Sequence, residues 1–370
     1  MTESAPHPPL PAARRALILE ALARRGVVRN SQLIEEFGVT PVTVRRDLAQ
    51  LEHEGLLDRV HGGAVSAERP AALGTRDGVS ADAPGTIAML VPSLDYSWPA
   101  VVRGVEAEAR RQGFRVLLRG ASYELHDERP ALERLVEIEH VRGLIVAPNM
   151  EGPHARDLIQ WLAGCGVPSV LAERDAVVLP HREPAESVTT DHALGGMLAA
   201  RHLAGLGHRK VGLVVSRSSP TSRKIAAGWD AACRELGIPA AGHFKRVLPE
   251  RGSPEFSPVV EGILETALAS GTTGLLVHSD LEAMAFVDLA LARGIGIPED
   301  LSLIAYDDEV AELVTPALTA VSPPRAAVGE AAADLLVRRL AEPGRAVRRV
   351  LLSPTLTPRE STAPPPSRAV

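Results

Sequence analysis

Aromatic residues make up only 3% of this 370-residue chain, and lysine occurs just three times, at Lys210, Lys224 and Lys245. Almost all positive charge is therefore arginine; with the abundance of alanine this points to a GC-rich genome, so arginine abundance alone argues for no function. The basic residues, 40 in all, fall short of the 46 acidic ones, which leaves a net charge of −6. Two cysteines, Cys165 and Cys233, stand far apart without metal spacing, which excludes a disulfide framework and fits free, buried thiols in a reducing compartment. The opening MTESAPHPPLPAARR has no apolar signal core, and no apolar run is long enough to span a membrane, so the expected location is the cytoplasm. Catalytic signatures are missing too. No Walker A run, G-x-S-x-G elbow, H-E-x-x-H pair or Cys/His cluster occurs, so neither an enzyme nor a bound cofactor or metal is expected.

Hydrophobic content of 45% and charged content of 23% are ordinary for a globular protein, and the length calls for two or three units, each with its own core. Residues 1–9 form a Pro-rich tail, expected to be disordered, and the segment 67–85, polar and punctuated by Pro and Gly, reads as a linker. The end, 359–370, reads as a second loose tail. That leaves two folded stretches, 10–66 and 86–358.

Within the first stretch the run TPVTVRRDL (Thr40–Leu48) reads as a capped helix. Thr40 is a good N-cap and Pro41 fits the first helical position, where its missing N–H costs nothing. Val44, Leu48 and Leu51 recur at helical spacing and face inward, leaving Thr43, Arg45 and Arg46 on other faces. Upstream, SQLIEEFGV reads as a shorter helix stopped by Gly38, and RRALILEALARRGVV supplies a helix before it. Downstream, GLLDRVHGGAV reads as a small β-wing turning at Gly62–Gly63. Helix, turn and capped second helix form the helix-turn-helix pattern. The run GVTPVTVRRDLAQLEHEGLLDRVHGGAV resembles the winged helix-turn-helix of DeoR-type regulators from recognition helix through wing. An Arg pair on a helix is also commonly a solvated face, here salt-bridged to Asp47 or Glu54. Eight arginines against seven acids between Leu10 and Val65 make this domain nearly neutral, so placement, not net charge, favours DNA. Double-stranded operator DNA is the expected partner, with Thr40, Thr43, Arg45, Arg46 and the wing-tip His61 as contacts. Arginine can grip a guanine edge bidentately or clamp phosphate.

From Thr86 to Pro358, short apolar runs (IAMLV, GLIVAP, VGLVVS, GLLVHS, LSLIAYD) alternate with amphipathic stretches that often end at Gly. That alternation implies parallel sheets covered on both faces, and the length favours two α/β lobes. IAMLVPSLDYSWPAVVRGVEAEARRQGFRVLL, SVTTDHALGGMLAARHLAGLGHRKVGLV and GIGIPEDLSLIAYDDEV resemble, in this order, segments of the LacI/GalR effector domain. The resemblance implies a two-lobed, periplasmic-binding-protein-like domain crossed three times by the chain, with a small carbohydrate-like effector between the lobes. The fold class is thus multidomain α/β, with lobes at about 86–185 plus 320–344 and at 186–319 plus 345–358. A DeoR-type headpiece and an irregular linker stand where LacI-type proteins carry their own headpiece and hinge helix.

Ligands in such sheets sit beyond the carboxyl ends of strands, which singles out the residues there. Asp95 can accept hydroxyl hydrogen bonds, and either Tyr96 or Trp98 can stack on a sugar face, Trp98 being equally able to anchor its helix beneath the lobe. Arg174 suits vicinal hydroxyls, or else a surface pair with Asp175. Asp191 and Asp280 have strong alternative readings as helix N-caps. The family places a ligand-binding arginine where this chain has Ile225; Arg223 is the candidate substitute. Asp307, with Asp308 behind it, matches the family's cleft aspartate. The expectation is a cytoplasmic repressor, homodimeric on paired half-sites and governed by a sugar or related polyol. The alternatives are a sugar-binding protein or a sugar-phosphate-processing enzyme of the kind joined to ordinary DeoR headpieces.

Overall fold

Three helices and three short strands build the first unit: α1 (Pro11–Arg25), β1 (Val27–Arg29), α2 (Asn30–Phe37), α3 (Pro41–His53), β2 (Leu57–Val60) and β3 (Gly63–Ser66). The computed structural model describes residues 11–25, 27–37, 39–53, 57–60, 63–66, 85–92, 98–120 and 127–366. Its two units are Met1–Asp82 and Ala83–Val370. In the first, Ile18, Leu22, Leu33, Phe37, Val44, Leu48 and Leu51, spaced at one helical turn, close a single core with Leu57 and Ala64 of the wing. β1 completes an antiparallel sheet in the order β1-β3-β2. Three residues long, it carries too little pattern to stand out in the sequence. Thr40 caps α3 as expected, its Oγ1 accepting the Thr43 N–H at 3.3 Å. Asp47, read from the sequence as a surface partner for the arginines beside it, is buried against Arg14.

The second unit begins with β4 (Thr86–Val91), α4 (Trp98–Arg111), β5 (Arg115–Gly120), α5 (Arg129–Glu137), β6 (Gly143–Val146), α6 (Ala155–Gly164) and β7 (Ser169–Ala172). A two-strand hairpin, β8 (Val177–Val178) and β9 (Glu183–Pro184), leads to β10 (Ser187–Thr190) and α7 (His192–Gly205). Next come β11 (Val211–Ser216), α8 (Ser222–Glu235), β12 (His243–Leu248), α9 (Phe256–Ser270), β13 (Gly274–His278), α10 (Asp280–Ala292) and β14 (Ser302–Tyr306). The last elements are β15 (Thr319–Ser322), α11 (Arg325–Ala341), β16 (Arg349–Leu352) and β17 (Thr355–Thr357).

These strands form two six-stranded sheets, ordered β16-β10-β7-β6-β4-β5 and β12-β11-β13-β14-β15-β17. The first is wholly parallel; in the second only β17 runs antiparallel, against β15. The central strands are buried along their whole length, the burial expected of a sheet covered on both faces. Where helices pack closest, glycine lets backbone meet backbone. A Cβ on Gly329 of α11 would lie 2.0 Å from the Val101 carbonyl of α4, and one on Gly228 of α8 would lie 1.8 Å from the Ala193 carbonyl of α7.

The lobe limits expected from the sequence need correction. Strand pairing puts Ser187–Thr190 and Arg349–Leu352 in the first sheet and Thr319–Ser322 in the second, so the chain crosses near residues 191, 323 and 353. The end is not a loose tail as far as residue 366. Ser361 is fully buried and donates to the Leu303 carbonyl, and Arg359 grips Asp308. His202 and His208 hold this segment through Thr362 Oγ1 (2.9 Å) and the Ala363 carbonyl (2.9 Å). Residues 367–370, like 1–9 and the linker as far as residue 84, lie outside the described residues.

Candidate functional site

Strand ends from both lobes, and the starts of two helices at the crossings, meet around a cavity of about 90 Å³. Its walls include Trp98, Glu173, Arg174, His192, Thr221, His278, Asp307 and Arg325.

On the first lobe's side, Glu173 follows β7 with φ of +56°, a left-handed conformation unusual for a residue with a side chain. Its carboxylate turns toward the first crossing, where it accepts the Thr190 hydroxyl at 2.6 Å and the Thr190 N–H at 3.0 Å. His192 Nε2 lies 3.4 Å away. Burial alone would raise the Glu173 pKa, but His192 and the Thr190 bonds outweigh it and bring it to about 2. Arg174 is buried rather than paired with Asp175. Its guanidinium donates to the Pro148 and Glu173 carbonyls at 2.9 Å each and lies 5.8 Å from the Trp98 ring centroid, within cation–π reach. Trp98, 5% exposed at the start of α4, both anchors its helix and faces the cavity. Asp175 instead joins Lys224 of α8 and Arg349 of β16.

On the second lobe's side, Asp307 follows β14 with φ of +110° and Asp308 has φ of +58°. Their side chains part. Asp307 accepts from Arg325 at 2.6 Å, whereas Asp308 accepts from Ser322 and Arg359 on the far side. Arg325, the first residue of α11, also meets Glu309 at 2.7 Å. His278 Nε2 lies 3.5 Å from Thr221 Oγ1 and 3.9 Å from Asp307; burial pushes its imidazole below the usual value, against the pull of Asp307. Tyr306, fully buried, joins His192 Nδ1 through its hydroxyl at 2.9 Å and meets the His278 ring edge-on at 5.3 Å. Gly195 makes room for that hydroxyl, since a Cβ there would sit 2.3 Å from it.

Two of the residues read from the sequence as effector contacts lie elsewhere. Arg223, with 90% of its side chain exposed, reaches toward Glu151 at 3.9 Å and does not line the cavity. Asp280 is fully buried and turned away beneath the 308–310 backbone, and Ser279, not Asp280, is the N-cap of α10. Asp191 is an N-cap, accepting the Leu194 N–H. Asp95 and Tyr96 lie outside the described residues. Sequence reading missed Glu173, His192, His278 and Arg325, whose only signal was a polar residue at a strand end or helix start. Among the described residues no cluster of His, Cys, Asp and Glu could hold a metal, and no helix is long and apolar enough to cross a membrane.

In the first unit, α3 presents Thr40 and Arg46 exposed and Thr43 half-buried. The side chain of Arg45 and the whole of His61 lie outside what is described.

Comparison with known proteins places both units. A DeoR-like helix-turn-helix domain profile matches residues 14–70, and a periplasmic binding protein-like domain profile matches residues 200–362. An HTH-type transcriptional regulator in the aml 5′ region of Streptomyces limosus is 32% identical over 305 residues, covering 80% of this chain and 82% of that protein. The arabinose metabolism transcriptional repressor of Geobacillus stearothermophilus is 24% identical over 339 residues, 90% of each chain. A LacI family transcriptional regulator from Enterococcus faecium, solved with bound ribose, superposes with a TM-score of 0.61 at 27% identity, covering 75% of this chain and 99% of that one. These relatives are regulators rather than enzymes. The chain belongs to the LacI-type family of DNA-binding transcriptional regulators, with a DeoR-like helix-turn-helix domain at the head of its periplasmic-binding-protein-like domain.

Proposed function

We propose that the protein is a repressor, acting in the cytoplasm, whose operator affinity is set by a small, neutral sugar held between its lobes. The observation that carries this reading is the charge balance of the cavity. Arg174 and Arg325 stand against Glu173 and Asp307, and each arginine is engaged, by carbonyls in one case and carboxylates in the other. Among the described residues no cationic excess is left for a phosphate dianion, while fixed donors, acceptors and the Trp98 face suit hydroxyls and C–H groups. The ribose-bound relative and the arabinose repressor support the same class. Trp98, Arg174 and Asp307 are the effector contacts of this reading, joined by Arg325 and His278.

Operator DNA is read by α3 through Thr43, Arg45 and Arg46, with Thr40 at its cap and His61 on the wing. A nearly neutral headpiece makes few phosphate contacts, so two chains acting on paired half-sites supply the affinity. Effector then changes operator affinity by about 5- to 150-fold, the range of ordinary allosteric coupling. A thermal-shift screen tests the class directly: D-ribose, L-arabinose and other neutral sugars against ribose 5-phosphate and sugar acids. A neutral sugar should raise the melting temperature and alter retention of promoter DNA in a gel; stabilisation by the phosphorylated or acidic compounds alone would overturn the reading. Arg46→Ala should weaken operator binding by about 1–3 kcal/mol at fixed salt. Wild-type affinity in that variant would remove α3 from the interface.

A further inference from the structure

Asp280 does not touch the cavity, yet it is among the most thoroughly engaged carboxylates in the second lobe. It is fully buried at the start of α10, just after the Ser279 cap, whose hydroxyl and N–H pair with Glu282. One Asp280 oxygen accepts the Asp308 N–H at 3.1 Å; the other accepts the N–H groups of Glu309 (2.7 Å) and Val310 (3.0 Å). Those amides belong to the loop that leaves β14 through Asp307 and Asp308, two consecutive non-glycine residues in the left-handed region. Such conformations persist only where the surroundings over-determine them. Asp307 gives its N–H to the Val321 carbonyl, and Arg359 and Arg325 hold the side chains of Asp308 and Glu309; beneath the loop, Asp280 gathers three successive amides.

We propose that Asp280 is a positioning residue for the effector site: by gathering the amides of Asp308, Glu309 and Val310, it fixes the loop geometry that aims Asp307 into the cavity. This rests on the reading of that cavity as the effector site. The requirement is for two accepting oxygens at once. An ionised carboxylate supplies both, whereas a carboxylic acid or an amide supplies one good acceptor and presents a donor at the other position. The groups facing Asp280 are Asp307, Asp308 with its Arg359, and Glu309 with its Arg325 on the loop side, and His278 and Glu282 on its own segment. Burial pushes the Asp280 pKa up to about 6, with the Val310 amide opposing and the Asp307 charge reinforcing the rise.

The test uses the full-length chain and Asp280→Asn, with D-ribose as probe and amide hydrogen exchange as a readout independent of any ligand. In the variant, exchange at residues 308–310 should speed up about tenfold, the loss of one charge-assisted hydrogen bond, while the β14 amides Leu303–Tyr306 keep their protection. Ribose affinity should fall by a similar factor with sugar-free operator binding unchanged. If the variant does not fold, Asp280→Glu, which keeps two accepting oxygens on a longer stem, takes its place, and exchange at 308–310 should still rise while the β14 amides keep their protection. Unchanged protection at 308–310 in the variant that folds would overturn the proposal. Should the wild type bind no ribose or other neutral sugar, the sugar reading falls, while the exchange data still decide the role of Asp280.

Discussion

Each lobe ends an interior strand in a carboxylate with a left-handed backbone, Glu173 after β7 and Asp307 after β14, and the two are built into the molecule differently. Glu173 is locked by the first crossing: Thr190 gives it two hydrogen bonds and His192 stands 3.4 Å away, all buried. Asp307 faces the second crossing, where its partner Arg325 is shared with Glu309. One carboxylate is committed to holding the lobes' connection; the other keeps an accepting edge toward the cavity. Two carboxylates at equivalent strand ends thus differ in the donors that surround them, and under the function proposed above the difference separates architecture from recognition.

Substitution should separate the two roles. Glu173→Ala strips a buried carboxylate from Thr190 and His192 and should cost about 3–5 kcal/mol of stability, read by chemical denaturation. Asp307→Ala leaves Arg325 its Glu309 partner and should cost only about 1 kcal/mol. Equal losses would erase the distinction. Binding should invert the order. Asp307→Ala and Arg174→Ala should each weaken the neutral sugar by about 1.5–3 kcal/mol, the worth of a hydrogen bond to a charged group, without changing sugar-free operator affinity. Titration calorimetry beside gel retention measures both.

Acid sharpens the contrast. The folded-state pKa of Glu173, about 2, lies below its ordinary 4.5, so its contribution is complete above pH 4.5 and is lost as pH falls through about 2. Asp280, with a pKa raised to about 6 from 3.8, has the opposite sign: relative to its unfolded value it favours the fold at low pH and loses that contribution as pH rises through 6. Glu173→Gln should therefore flatten the stability profile between pH 4.5 and 2, and Asp280→Asn should flatten it between pH 4 and 6. A wild-type profile in either variant would remove that residue from the account.

The two units also differ in how far the sequence discloses them. The headpiece is legible nearly residue by residue, because Thr40 and the spacing of Val44, Leu48 and Leu51 are local signals and the core they make is local. The α/β unit discloses its strands, whose continuous apolar runs follow from burial on both faces, but not which lobe each crossing strand joins. Ser187–Thr190 and Arg349–Leu352 pair with each other over a separation of more than 150 residues, and no local pattern records that choice. Asp307 and Arg174 were visible as polar residues at strand ends. Arg223 and Asp280 met the same description, yet the first is exposed at the surface and the second fully buried away from the cavity. His192, His278 and Arg325 stayed hidden because each gains its meaning from a partner on another element.

The smallest expected effect concerns the path between the two carboxylates. Glu173, His192 and Tyr306 run in sequence at 3.4 and 2.9 Å; beyond Tyr306 the path continues only through a ring edge at 5.3 Å and a 3.9 Å approach from His278 to Asp307. Tyr306→Phe keeps the ring and removes the hydroxyl, leaving His192 Nδ1 without its partner, and should cost about 1 kcal/mol. Its effect should depend on Glu173, because that carboxylate lies on the other nitrogen of the same imidazole and the charge on one side sets the donor on the other. A double-mutant cycle of Tyr306→Phe with Glu173→Gln should therefore show an interaction energy of at least about 0.5 kcal/mol, while the cycle with Asp307→Asn should add within about 0.3–0.5 kcal/mol. The reverse pattern, with coupling to Asp307 and none to Glu173, would mean that the phenol belongs to the recognition side of the cavity, and the division between the two carboxylates would have to be redrawn.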